Sequence, residues 1–287
     1  MKITNAPRES KKHKGFIAFV SILIIIALLF LDSRYRLVAT EYDLSYKDLP
    51  ASFDGFCVVQ LSDLHMRDYG DRLIDLVRKQ KPDIIVMTGD FLNMHTQETE
   101  GIQTPKLRPV LKNLAAIAPC YFVSGNHEWA SREMEDLTAL LDELGIKYLR
   151  NESILLEKGG DNIVLAGVED PNGPADMIKP DELIRKIRVK YPDKYTMLIA
   201  HRNDWMLQYP DLPVDTILCG HAHGGIMRLP IVGGIFGTDR DLLPKYDSGV
   251  FNEGGYDMVL SRGLGEYYSL PRFLNNPEVV TVILKKT

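Results

Sequence analysis

The feature that narrows this sequence furthest is a recurrence: five short apolar runs, each ending in a turn that carries Asp, His or Asn. Phe56–Leu61 leads into Ser62-Asp63-Leu64-His65, and Ile84–Met87 leads into Thr88-Gly89-Asp90. Residues 121–123 lead into Ser124-Gly125-Asn126-His127, residues 195–199 into Ala200-His201, and residues 216–218 into Cys219-Gly220-His221-Ala222-His223. Runs this short and this uniformly apolar read as strands buried on both faces. Between them, apolar residues fall at helical spacing: Leu73, Ile74, Leu76 and Val77; Leu107, Val110, Leu111 and Leu114 within 105–116; Met134, Leu137, Leu140, Leu141 and Leu144; and Leu183, Ile184 and Ile187 within 181–189. Residues 148–168 read as a strand pair around Lys158-Gly159-Gly160-Asp161, and 258–260 and 279–284 add strands without helices. The alternation predicts one α/β domain over 55–287 with two or more packed sheets.

The polar residues at the strand ends point to chemistry. In open α/β sheets, ligand sites form in the crevice outside the carboxyl ends of the strands. Five of the seven histidines of the chain fall in these turns. Singly, such an Asp is a helix cap and such a His a satisfied polar residue. The ordered set D-x-H, G-D, G-N-H-E, H, G-H-x-H is another matter, with a chance frequency well under about 1%.

That set resembles the calcineurin-like metallophosphoesterase superfamily, from about residue 56 to the C-terminus. The segments 220–226 (GHAHGGI) and 271–278 (PRFLNNPE), together with an apolar N-terminal stretch, look like its bacterial membrane-anchored branch. The resemblance implies a four-layer αββα sandwich, two mixed sheets flanked by helices. It implies two divalent metal ions, the first held by Asp63, His65 and His223, the second by Asn126, His201 and His221, with Asp90 bridging. A mixed N/O donor set without thiolate suits Mn, Fe or Zn. Such ions clamp phosphate oxygens and acidify a shared water into the attacking hydroxide. His127 is then a catalytic group, protonating the leaving group or stabilising the transition state, oriented by a carboxylate such as Asp63 or Glu128. The family often has Asp where this chain has Glu128. Hydrolysis of a phosphodiester or pyrophosphate is the expected activity, diester over monoester from the resemblance alone. The alternatives are a catalytically silent metal-bearing scaffold or a phosphate-binding sensor.

Residues 15–31 (GFIAFVSILIIIALLFL) carry no charge and cover about 25 Å as a helix, the short end of what spans a bilayer. No A-x-A-like cleavage site follows, so an uncleaved transmembrane anchor over 15–32 is expected rather than a signal peptide. Lys2, Arg8, Lys11, Lys12 and Lys14 precede it and only Arg34 and Arg36 follow closely. This bias places a basic tail (1–14) in the cytoplasm and the domain outside, after a linker over 33–54.

The chain has a formal charge of −5, and its basic tail leaves the remainder at −9. Nucleic-acid backbones need clustered cations, so no nucleic-acid partner is expected. A phosphorylated small molecule or lipid is the expected substrate, since bound metals reverse the local field. Cys57, Cys120 and Cys219 lie in apolar stretches without metal spacing and read as core residues, with one disulfide between two of them as the alternative outside the cell.

Weaker signals remain. Arg67 and His95 follow the first two motifs and are candidates for substrate binding, or simply solvated surface groups. Residues 229–251, rich in Gly, Pro and apolar residues, read as a lid, a surface dipping into the bilayer, or an ordinary packed insertion.

Overall fold

A computed structural model describes residues 9–99, 101–174, 177–238, 240–267 and 270–287. The N-terminal half runs α1 (Glu9–Tyr35), β1 (Val38–Tyr46), β2 (Phe56–Leu61), α2 (Asp71–Gln80), β3 (Ile84–Met87), α3 (Thr104–Ala115), β4 (Cys120–Phe122), α4 (Asn126–Ser131), α5 (Met134–Glu143) and β5 (Lys147–Tyr148). It continues with β6 (Glu152–Lys158), β7 (Asp161–Gly167), α6 (Pro180–Lys190), β8 (Thr196–Ile199), α7 (Trp205–Gln208) and β9 (Thr216–Cys219). The last part holds β10 (Arg228–Leu229), β11 (Gly233–Gly234), β12 (Gly249–Phe251), β13 (Asp257–Leu260) and β14 (Glu278–Lys286).

Two six-stranded mixed sheets result, ordered β1-β14-β2-β3-β4-β5 and β12-β13-β9-β8-β7-β6. Every residue of β2, β3, β8 and β9 is buried, which is why these strands are apolar on both faces. Val58, Val86, Leu165, Met197, Leu218 and Val282 pack between the sheets. Leu73, Val77, Leu107, Leu111, Leu137 and Leu141 cover the outer face of the first sheet. Leu183, Ile184, Ile187 and Trp205 cover that of the second. The expected four-layer sandwich is the observed fold, and all three cysteines are free and buried.

Residues 33–54 depart from the expected linker. The helix continues to Tyr35, and Val38–Tyr46 pairs in parallel with β14 as the edge strand of the first sheet. Residues 147–148 likewise belong to the first sheet, so the strand pair of the second begins only at Glu152.

Helix α1 is long and apolar enough over His13–Tyr35 to cross a membrane, and its most apolar 18-residue window has no residue buried in the protein. Residues 1–8 of the basic tail lie outside the described residues. The helix ends against the domain. Asn276 donates to the carbonyls of Asp32 (2.9 Å) and Arg36 (3.2 Å), and the Phe30 and Phe273 rings lie 4.7 Å apart.

Candidate metal centre

Each of the five turns leaves the end of a buried strand, and the sandwich brings all five ends to one crevice. Five of the seven expected ligands, Asp63 (φ 52°), His65 (46°), Asp90 (56°), His221 (70°) and His223 (47°), adopt the left-handed conformation. That conformation costs an L-residue about 1–2 kcal/mol, so the fold holds the backbone against local preference to aim these side chains.

Two clusters share one carboxylate. On one side His65 Nε2 lies 3.1 Å from His223 Nε2, and His223 Nε2 lies 3.4 Å from Asp63 Oδ1. On the other, His201 Nε2 lies 3.1 Å from each of Asn126 Oδ1, His221 Nδ1 and Asp90 Oδ2. Asp90 Oδ2 stands between them, 3.8 Å from His65 Nε2 and 3.9 Å from His127 Nε2. The ligand-type atoms of Asp63, His65 and His223, and those of Asp90, His201 and His221, fall within 4.8 Å of one another. All these carboxylates and imidazoles are buried except His65, which is half-buried.

The donor chemistry fits a cation. His201 Nδ1 is 2.8 Å from the Thr88 carbonyl, which can only accept, so that nitrogen carries the hydrogen. Its Nε2 lone pair then faces an amide oxygen and a carboxylate oxygen. Such a convergence of lone pairs is favourable only around positive charge. Protonation responds to the same demand. Burial opposes the His201 imidazolium, but Asp90, with Asp63 and Asp170 adding, takes it up to about 10. For Asp90, burial works against ionisation, and His201, His127 and His65 overcome it, holding the carboxyl well below its usual range. Burial lowers His65 against the pull of Asp90 and Asp63, and lowers His223 with His65 and Arg272 reinforcing it.

His127 is placed differently. Its backbone N–H donates to Asp90 Oδ1 at 2.8 Å, and burial pushes the imidazole down to about 4, partly opposed by Asp90. The Glu128 carboxylate, an expected partner for His127, is spent elsewhere: it accepts from the backbone amides of Asp90, Phe91, Leu92 and Gly125. Of the weaker candidates, Arg67 lines a cavity of about 390 Å³ with His65 and His127. His95 is half-buried, its backbone N–H on the Ala130 carbonyl at 2.9 Å and its Nδ1 enclosed without a partner, outside both clusters.

Several supporting residues were not read from the sequence. Arg202, directly after His201, pairs with Asp170 at 2.6 Å and brings Nη1 to 3.1 Å from His221 Nε2, on a cavity shared with Asn172 and Tyr267. Asn275 donates to the carbonyls of His223 (2.8 Å) and Ile226 (2.9 Å). Buried Arg272 donates to the carbonyls of Gly265 and Arg262, while the Gly265 N–H reaches the Asp63 carbonyl. Arg272 and Asn275 both lie in the segment 271–278 that carries part of the family resemblance.

Gly125 tests the tightness of the site. A Cβ there would strike the Asp90 carboxylate and, at 2.8 Å, the Asp90 backbone nitrogen. Gly125→Ala is expected to displace Asp90 and cut turnover about 100-fold while the far-ultraviolet circular dichroism stays that of the wild type. Turnover within threefold would mean that the approach is looser than described.

The calcineurin-like phosphoesterase family model matches residues 57–225. YkuE of Bacillus subtilis, an uncharacterised metallophosphoesterase, is 28% identical and aligned over 88% of this chain and 87% of its own. Phosphodiesterase YaeI of Escherichia coli is 28% identical over 83% of this chain and 84% of its own. A transmembrane protein with metallophosphoesterase domain from Danio rerio is 26% identical over 99% of this chain, which spans 66% of that relative. Among solved structures, a dimetal phosphatase from Danio rerio superimposes with a TM-score of 0.45 at 11% identity, over 73% of this chain and 88% of that one.

Proposed function

This chain belongs to the calcineurin-like phosphoesterase family, and from that premise we propose that it is a two-metal phosphodiesterase acting at a membrane surface. The observation that carries the reading is the Asp90 carboxylate set between two groups of buried N and O donors. Asp63, His65 and His223 would hold one divalent ion, and Asn126, His201 and His221 the other, with Asp90 shared. Manganese, zinc and iron all suit such a donor set. Bound there, the ions supply Lewis-acid neutralisation of phosphate charge and lower the pKa of a water at the site.

The protein's own groups complete the chemistry. A neutral imidazole is a poor proton donor but a good hydrogen-bond donor, so His127 serves to stabilise charge on the phosphate or leaving oxygen rather than to deliver a proton from the free enzyme. Arg202, held by Asp170, adds fixed positive charge at the rim for a non-bridging oxygen. Arg67, beside His65 and His127, would contact the remainder of the ester. The diester preference rests on similarity to YaeI. Helix α1 spans the bilayer with the domain outside, as the charge bias favours.

The test is hydrolysis of bis-p-nitrophenyl phosphate and p-nitrophenyl phosphate by the full chain in detergent, metal-stripped and then reloaded. The expected result is metal-dependent turnover, faster on the diester. His127→Ala should retain both ions but lose about 100- to 1,000-fold in kcat. Two bound ions without turnover of either ester would replace the enzyme reading with that of a metal-bearing scaffold.

A further inference from the structure

The loop that leaves the metal centre presents an apolar face beside α1. It includes the β10–β11 hairpin and exposes Leu229, Ile231, Val232, Phe236, Leu242 and Leu243, with Ile231 fully open to its surroundings. Leu270 is exposed on the neighbouring segment. Outside α1, the other large apolar side chains exposed among the described residues, Ile102, Val189 and Leu207, sit singly on other elements. A patch of this kind is costly in water and calls for a covering phase.

Its place in the fold says which phase. The Arg228 N–H donates to the Phe273 carbonyl at 2.9 Å, and Met227 bridges Phe273. The Phe273 ring in turn lies 4.7 Å from Phe30, in the last turn of the apolar run of α1. The hairpin is therefore tied through Phe273 to the end of the hydrocarbon-length stretch of α1, which itself carries exposed apolar side chains. Arg67 donates to the Arg34 carbonyl (3.1 Å) and Arg72 to the Tyr35 carbonyl (2.5 Å), so the helix end is fixed to the domain.

We propose that the 229–243 loop inserts into the same bilayer that α1 enters, forming with it a two-point membrane face. The inner side of the same loop belongs to the metal centre. Gly225, two residues after His223, accepts from the Ile235 and Phe236 amides, and a Cβ on it would stand 2.5 Å from the Gly234 Cα. Thr238 and Tyr267 line the cavity over Asp90, His127 and His223. One segment thus separates the lipid from the phosphate site. Resting on the phosphoesterase reading, the substrate this arrangement favours is an amphiphile whose phosphate ester stands in the headgroup layer.

The membrane contact is measured without any turnover, so it stands or falls apart from the enzymatic reading. Full-length Ile231→Trp and Leu243→Trp would be placed in nanodiscs of phosphatidylcholine with or without brominated acyl chains. The emission of wild type, which carries Trp129 and Trp205, would be subtracted, and Val189→Trp on α6 would serve as control. A side chain buried in the acyl boundary is expected to lose about half or more of its emission to the brominated chains, and Val189→Trp almost none. Tryptophans at 231 and 243 quenched no more than the one at 189 would overturn the proposal, whether water or a second copy covers the loop.

Discussion

Asp90→Asn is expected to lower kcat/KM for bis-p-nitrophenyl phosphate by about 1,000-fold or more, equivalent to about 4 kcal/mol of transition-state stabilisation. The substitution preserves shape and an oxygen able to accept the His127 N–H, now made at 2.8 Å. It removes the one negative charge that faces His65, His127 and His201 at once. Neither half of the donor set then keeps its shared carboxylate, so the loss falls on both ions. A second readout needs no substrate. Wild type should melt higher when metal is added, by an amount that reflects about 4 kcal/mol at a thousandfold excess over Kd, and the variant should lose most of that gain. A variant that is inactive yet stabilised by metal like the wild type would show Asp90 to be a reacting group, not a bridge.

Glu128→Ala carries the second large effect, on stability. The carboxylate is fully buried, with one oxygen 2.7 Å from the amides of Asp90 and Gly125, and the other 2.7 and 3.0 Å from those of Phe91 and Leu92. Burial and the Asp90 charge push Glu128 up to about 7, and the amides of Leu92, Gly125 and Asp90 pull against that rise. Truncation leaves four amides without their acceptor inside the core. At about 1 kcal/mol for each, the expected loss is about 4 kcal/mol and a melting point lower by about 10 °C. Glu128→Gln retains one acceptor oxygen but turns an NH2 toward two amides, so it should recover about half of the loss. The turn carrying Asp90 in its left-handed conformation loses its clamp in both variants, so activity should fall with stability. A Glu128→Ala chain melting within about 2 °C of wild type would show that water replaces the carboxylate at little cost.

Glu128 also marks the boundary between what is legible in one dimension and what is not. It stood out in the sequence as a departure beside His127, yet its partners include three amides 36 to 38 positions upstream, which no spacing rule connects to it. The edge strand at 38–46 has a local signal, Tyr42, Leu44 and Tyr46 alternating with Glu41, Asp43 and Ser45, but its partner lies at 278–286. Arg272 and Asn275 support Asp63 and His223 from a segment with no periodicity of its own.

By itself the sequence determined the strands that lead into the five turns, most of the helices and the candidate strand-end donors, because burial imposes periods of 2 and 3.6 on neighbouring residues and cation chemistry restricts the side chains that can serve. Only the tertiary structure decided that the Asp90 carboxylate lies within 4 Å of both donor groups, that Glu128 clamps its turn, and that the apolar loop beyond His223 is tied through Phe273 to the end of α1. Those are distances between residues remote in the chain, set by how two sheets and a docked helix pack, and no local preference encodes them.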